Sequence, residues 1–253
     1  MPNNASRCTD PEGELANVTA DITLNAIVFD RKGNQIRTVL TGGKTHATFT
    51  YPSKRYRRAQ TGDGATEYLL NKHHEVLAGK LDFLPQPCRI EGQLRGKPVR
   101  ALPDFAAVAI GERPVLGEVK HDWDAFDRFD AIVQQALTRR AAACLGWNYR
   151  QETPTSLSAQ ADIEAVDEVQ AHRFVHVPIR HESVTVTALA NGARLRLSDL
   201  TDAMGETPAR GRALACALMV RGIVEIDISG PVTDLSTVRA APERPLAWPR
   251  IRL

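Results

Sequence analysis

The chain has no paired cysteines from which to build a frame. Its four, Cys8, Cys88, Cys144 and Cys216, lie far apart with no Cys-x-x-Cys pair. That excludes a disulfide-stapled scaffold and a cysteine zinc site, and it reads as the reduced thiols of a cytoplasmic protein. Long apolar runs are missing as well. Nothing approaches the roughly 20 residues that span a bilayer, so no membrane partner is expected. Residues 1–17, MPNNASRCTDPEGELAN, lack the apolar stretch of a secretory signal. A surplus of one charge sign is absent too, with 32 basic against 30 acidic residues. What is present, 43% apolar and 25% charged among 253 residues, is the composition of a globular protein. It argues against a disordered, collagen-like or coiled-coil chain.

The near-zero charge conceals a pattern. Residues 31–100 hold 14 basic and five acidic side chains, whereas residues 1–30, 101–150 and 151–253 are each net acidic. The last 103 residues contain no lysine. Charge acts locally, so the basic block keeps nucleic acid open as a partner, and the lysine-free stretch reads as a second unit.

Periodicity and turn residues give a coarse map. Residues 1–18 read as a loose tail. Residues 21–29 and 35–40 read as a hairpin around the turn DRKGN, and residues 51–64 as a basic, glycine-rich loop. A helix is expected over 65–78, then short strands over LDFLPQPCRI, KPVRALPDFAAVAI and VLGEVK, a helix over 124–145 and a closing strand at WNYRQET. Together these make a mixed α/β unit. Residues 152–160 read as a linker. An acidic helix, ADIEAVDEVQAHR, and helices near 182–190, 197–204 and 208–221 follow. The strands IVEIDI and STVRA complete the outline of a winged helix. The resulting division is an N-terminal tail and hairpin (1–50), an α/β unit (51–152) and a winged-helix-like unit (160–253).

The strongest chemical signal is Pro103-Asp104-Phe105 followed, after a strand, a turn and a second strand, by Glu118-Val119-Lys120. A hairpin brings Asp104 beside Glu118, and Glu118 and Lys120, two apart on a strand, share a face. Two carboxylates and an ammonium on one patch suit phosphodiester hydrolysis. Carboxylate oxygens and the Val119 carbonyl hold a divalent cation, which polarises the phosphoryl group and supplies hydroxide. Lys120 orients or deprotonates the attacking water, or steadies developing charge.

The run from ATEYLLNKHHEV to VLGEVK, with Glu67 on a helix, Gln86-Pro87 before a strand, PDF and ExK, resembles the core of TnsA-type endonuclease subunits of heteromeric cut-and-paste transposases. The match covers roughly residues 65–150. The resemblance implies a restriction-endonuclease-like mixed sheet flanked by helices, followed by a winged-helix domain. It implies a catalytic set of Glu67, Asp104, Glu118 and Lys120, metal held by Glu67, Asp104, Glu118 and Val119, and a lesser role for Gln86. The cofactor implied is Mg²⁺ or Mn²⁺, and the activity is cutting of the 5′ strands at transposon ends. The partners implied are double-stranded DNA, an integrase-like subunit and an AAA+ ATPase that the C-terminal domain contacts.

Several other clusters need a reading. Lys54, Arg55, Arg57 and Arg58 alternate with Tyr51 and Tyr56 and are expected to contact DNA phosphates, the tyrosines lying on sugar or base faces. His73-His74 point about 100° apart on a helix, which favours a helix surface over a metal site. Asp122, Asp124, Asp127 and Asp130 suit a helix start. Gln134 and Gln135 are candidates for approaching DNA. The winged-helix outline, net acidic and lysine-free, is expected to bind protein. The tail APERPLAWPRIRL docks on a partner, docks on its own body, or stays loose. Two further functional readings stand beside the transposase subunit: a stand-alone restriction or repair nuclease, and a catalytically silent DNA-binding adaptor.

Overall fold

The computed structural model describes residues 11–37, 47–248 and 251. In chain order its elements are α1 (Pro11–Asp21), β1 (Ile22–Phe29), β2 (Thr48–Ser53), β3 (Arg58–Asp63), α2 (Ala65–Val76), β4 (Lys80–Pro85), β5 (Cys88–Leu94), β6 (Lys97–Ala101), β7 (Phe105–Ala109), β8 (Val115–Val119), α3 (Phe129–Leu145), β9 (Asn148–Glu152), α4 (Pro154–Gln160), α5 (Ile163–Ala171), α6 (Ile179–Ala188), β10 (Arg194–Arg196), α7 (Leu197–Met204), α8 (Pro208–Val220), β11 (Val224–Ile226) and β12 (Thr237–Ala240). The protein is mixed α/β, and none of its helices is long and apolar enough to cross a membrane.

The central sheet runs β4-β7-β8-β9, antiparallel except for the parallel β8–β9 pair that α3 connects. Its middle strands are buried except at Ala109, the last residue of β7, as apolar runs such as FAAVA require when both sheet faces are covered. A second sheet, β1-β5-β6, packs with α1 against α3. Gly92 of β5 is needed where the sheet meets its neighbours, because a Cβ there would lie 2.3 Å from the Thr23 carbonyl oxygen. Beyond β9, helices α5 to α8 and the small sheet β10-β12-β11 enclose a separate apolar cluster that includes Leu200, Leu214, Leu218 and Val238.

One element takes part in both bodies. Leu70 of α2 sits with Phe83 and Phe105 against the central sheet, while Val76, fully buried, belongs to the C-terminal cluster. A salt bridge from Lys72 to Asp167 of α5 ties the same helix to that side.

Several sequence expectations are corrected. Within the expected tail, residues 11–21 form α1: Pro11 opens it, Glu12 and Glu14 sit in its first turn, and Val18 is buried. The DRKGN turn forms, with Asp30 Oδ2 accepting from the Lys32 and Asn34 amides, but the chain then leaves β1. The Gln35 side chain bonds the Thr61 backbone and the Ile36 amide donates to the Gln86 carbonyl. β1 pairs with β5 instead, and residues 38–40 lie outside the described residues. The expected loop at 51–64 is the β2–β3 hairpin. Its inward positions, Tyr51, Ser53, Gln60 and Gly62, alternate, but they are mostly polar and so give little hydropathy signal. The expected linker at 152–160 contains α4, because Thr153 and Ser156 cap each other's backbone reciprocally and Pro154 stands at the first helical position. His73 and His74 are not on a surface: both are buried, and His74 stacks on Phe83 at 4.1 Å between ring centres. The tail returns to the body, where Ile251 is buried and its amide donates to Asp82.

Candidate active site

Asp104 immediately precedes β7, and the β7–β8 register, Phe105 opposite Gly117, places it across from Glu118. The turn between the strands does not fix this alone. Gly117 has the Phe105 ring lying over it, and a Cβ at that position would meet the ring at 2.2 Å. Around Asp104 the backbone is fastened on both sides: its amide donates to the Gly117 carbonyl at 3.0 Å, and its carbonyl accepts from the Gln86 amide at 2.9 Å. Gln86 holds a left-handed conformation with φ 42°. Its buried side chain accepts from Gln35 Nε2 at 3.3 Å, so Gln86 meets Asp104 through its backbone.

The Asp104 carboxylate accepts from the Val119 amide at 2.8 Å and lies 3.5 Å from Lys120 Nζ. Lys120 Nζ lies 3.6 Å from Glu118 Oε2. The ammonium therefore bridges the two carboxylates, and its backbone amide is fixed to the Glu152 carbonyl of β9. Glu118 is only 1% exposed. It is held by two neutral donors from one face of α3, Gln134 Nε2 at 2.6 Å to Oε2 and Thr138 Oγ1 at 3.0 Å to Oε1. Residues four apart on a helix lie above one another, so one helix face grips both oxygens. Gln134, considered above for DNA, is a carboxylate anchor here, and Gln135 donates to the Phe126 carbonyl. Thr138 was missed; its four-residue spacing from Gln134 was the available signal.

Glu67 occupies the first turn of α2. The Asp63 amide donates to its Oε2 at 3.4 Å, and Gly62 leaves it room, since a Cβ there would approach that oxygen to 2.7 Å. Burial pushes its pKa up to about 9, with the negative charges of Asp104 and Asp63 adding to the shift. Burial also raises Asp104, with Lys120 working against the shift. Glu118 is pushed well above the ordinary range by burial and then by Asp104. Lys120 is raised in turn, because the two carboxylates outweigh the desolvation that opposes them. The patch thus sets two carboxyl groups against one ammonium.

That imbalance bears on metal. Among the described residues no three His, Cys, Asp or Glu side chains converge as a ready-made chelate, and Glu67 shares a field with Asp104, with no hydrogen bond joining them. The donor set is the two hard carboxylates of Asp104 and Glu118. This fits Mg²⁺, which keeps several waters and uses one or two carboxylates. Lowered repulsion between Asp104 and Glu118 would accompany its binding.

The expected DNA-binding residues separate into two pairs. Arg55 is a clamp: its guanidinium donates to the carbonyls of Glu75 (2.7 Å), Leu77 (3.0 Å) and Val76 (3.2 Å) at the end of α2, and to Met219 of α8 at 2.9 Å. Arg58 pairs with Asp82 at 2.7 Å and donates to the Phe83 carbonyl. Lys54 and Arg57 are exposed. Tyr51 is buried and the Tyr56 hydroxyl donates to the His74 carbonyl, so these rings serve the core. No protein-family model matches the chain, and no curated protein matches it either.

Proposed function

We propose that the protein is a metal-dependent DNA endonuclease of the transposase-subunit type. The observation that carries this is the single patch formed by Asp104, Glu118 and Lys120, with Glu67 in the same electrostatic field. The β4-β7-β8-β9 sheet between α2 and α3 suits a restriction-endonuclease-like core. Helices α6 to α8 with β10, β11 and β12 suit a winged helix, read here as the protein-binding unit that meets an ATPase regulator.

In this reading Asp104 and Glu118, with the Val119 carbonyl, would hold Mg²⁺ or Mn²⁺. The cation supplies Lewis-acid polarisation of the phosphoryl group and a water of lowered pKa. Lys120, tied to both carboxylates, orients the attacking water and offsets charge on the phosphoryl oxygens. Gln134 and Thr138 keep Glu118 in one rotamer. Glu67 takes or gives a proton beside Asp104 as charge builds up.

The test is strand-specific cutting of transposon-end duplexes by the chain with its integrase-like and ATPase partners in Mg²⁺, using Asp104→Ala and Lys120→Ala. Loss of 5′-strand cutting, with 3′-strand processing retained, supports the proposal. Unchanged 5′ cutting by both variants rejects it. Robust cutting by the wild-type chain alone moves the reading to a stand-alone nuclease.

A further inference from the structure

At the end of α2 opposite Glu67 the fold gathers cations that no carboxylate among the described residues neutralises. A cleft of about 500 Å³ is walled by Lys54, Arg55 and Arg57 of the β2–β3 turn, Arg221 just past α8 and Arg244 of the C-terminal tail, with no acid among the described residues that line it. A second hollow of about 420 Å³ shares Arg55, Arg57 and Arg244 and continues past Asp82 to Trp248, so the two make one trough. Arg55 is committed to carbonyls and Arg58 to Asp82. Among the described residues no carboxylate pairs with Lys54, Arg57, Arg221 or Arg244. The Glu75 carboxylate behind the turn is engaged by Ser53 Oγ and the Lys54 and Arg55 amides. Arg221 gives one N–H to the Val175 carbonyl and keeps a buried Nε without a partner. Arg244 lies close enough to Arg55 for the two charges to repel.

Like charges converging on a concave wall are unfavourable unless an anion fills it. Most of these cations are arginines, whose planar forks match phosphate oxygens two at a time. Because the two hollows share Arg55, Arg57 and Arg244, the cations line one continuous surface, which suits consecutive phosphates over one isolated anion. We infer that this trough is a second nucleic-acid contact in which Lys54, Arg57, Arg221 and Arg244 grip roughly three consecutive phosphates of one strand. The ligand's identity as DNA rests on the endonuclease reading. Glu67 and Glu75 are eight residues apart on α2, about 12 Å along its axis, so the grip lies on the order of one helix length from the cutting site. Both bodies of the protein contribute to it, Lys54 and Arg57 from one, Arg221 and Arg244 from the other.

The test uses full-length protein with exposed Arg57 and Arg244 changed together, R57A/R244A and R57E/R244E. Thermal melts establish that each variant folds. Fluorescence anisotropy then measures duplex affinity at several salt concentrations in EDTA. Each lost phosphate contact removes about 0.9 from the slope of log K against log salt, so the alanine pair is expected to flatten it by nearly 2. The glutamate pair is expected to weaken binding more than tenfold. An unchanged slope and affinity in folded variants overturns the inference. So does saturable binding of sodium tripolyphosphate that the variants lose while their DNA slope stays at the wild-type value, because the trough then serves a free oligophosphate. Asp104→Ala and Lys120→Ala separate the two levels: if both still cut the 5′ strands as the wild type does, the endonuclease reading fails whatever the salt slopes show.

Discussion

Replacing Glu67 by Gln is expected to stabilise the metal-free protein and to do so more strongly as pH rises. The carboxyl has an ordinary pKa of 4.5 and one of about 9 in the folded chain, with burial the main cause. Between those values the folded state holds a proton that the unfolded state has released, so stability falls as pH rises through the window and is lost in full above the folded value. Each pH unit inside the window is worth about 1.36 kcal/mol. From pH 5.5 to pH 8 the wild type should therefore lose roughly 3 kcal/mol relative to E67Q, which carries no titrating group at this position. Asp104 and Glu118 are raised by burial in both proteins, so most of their contribution is common to the two, and only the part of the Asp104 shift set by the Glu67 charge differs. The assay is urea denaturation of both proteins in EDTA at the two pH values. Parallel pH dependence of the two would refute the reasoning, since Glu67 would then ionise freely in the folded chain. Added Mg²⁺ should recover stability in the wild type at pH 8, because a cation beside Asp104 lowers the cost of the negative charges around it.

The other predictions concern supports. Arg55→Ala leaves buried carbonyls at the end of α2 and on Met219 without their donor, and should cost about 3 kcal/mol in denaturant unfolding; a loss below about 1 kcal/mol would show that water replaces the guanidinium. Replacing Gln134 by Ala and Thr138 by Val frees Glu118 from its two neutral donors. Mg²⁺ affinity and cutting should fall by about 10- to 100-fold, with excess Mg²⁺ restoring part of the cutting. A loss that excess Mg²⁺ cannot touch, at unchanged metal affinity, would count against a positioning role.

The central strands and helices were legible in the sequence because their signals are local. FAAVA is an uninterrupted apolar run, VLGEV is broken only by Gly117 and the carboxylate of Glu118, α2 ends before Gly79, and α3 has apolar residues at helical spacing. The hairpin β2–β3 was not legible because its inward residues are polar and its turn is a run of cations, so composition spoke for a loop. In the same way α4 was hidden by Ser and Thr that cap a helix but also fill linkers. The Asp104–Glu118–Lys120 patch followed from strand alternation across one turn. Its supports did not: Gln134 and Thr138 reach Glu118 only through the packing of α3 on β8. Arg55 and Arg58 show the converse limit. A basic run in sequence gives charge but not direction, and here two of the four side chains point inward to carbonyls and Asp82, while the cations that join Lys54 and Arg57, namely Arg221 and Arg244, come from more than 160 residues away.

The position of α2 in two cores bears on how such a chain can diversify. A unit joined by a linker can be exchanged for another without disturbing its neighbour. Here the buried Val76 and the Lys72–Asp167 bridge mean that a different C-terminal body would need a rewritten last half of α2, in the same helix whose first turn carries Glu67. Recombination at residues 152–160 would leave that helix half-matched, so the two bodies are constrained to change together, one substitution at a time.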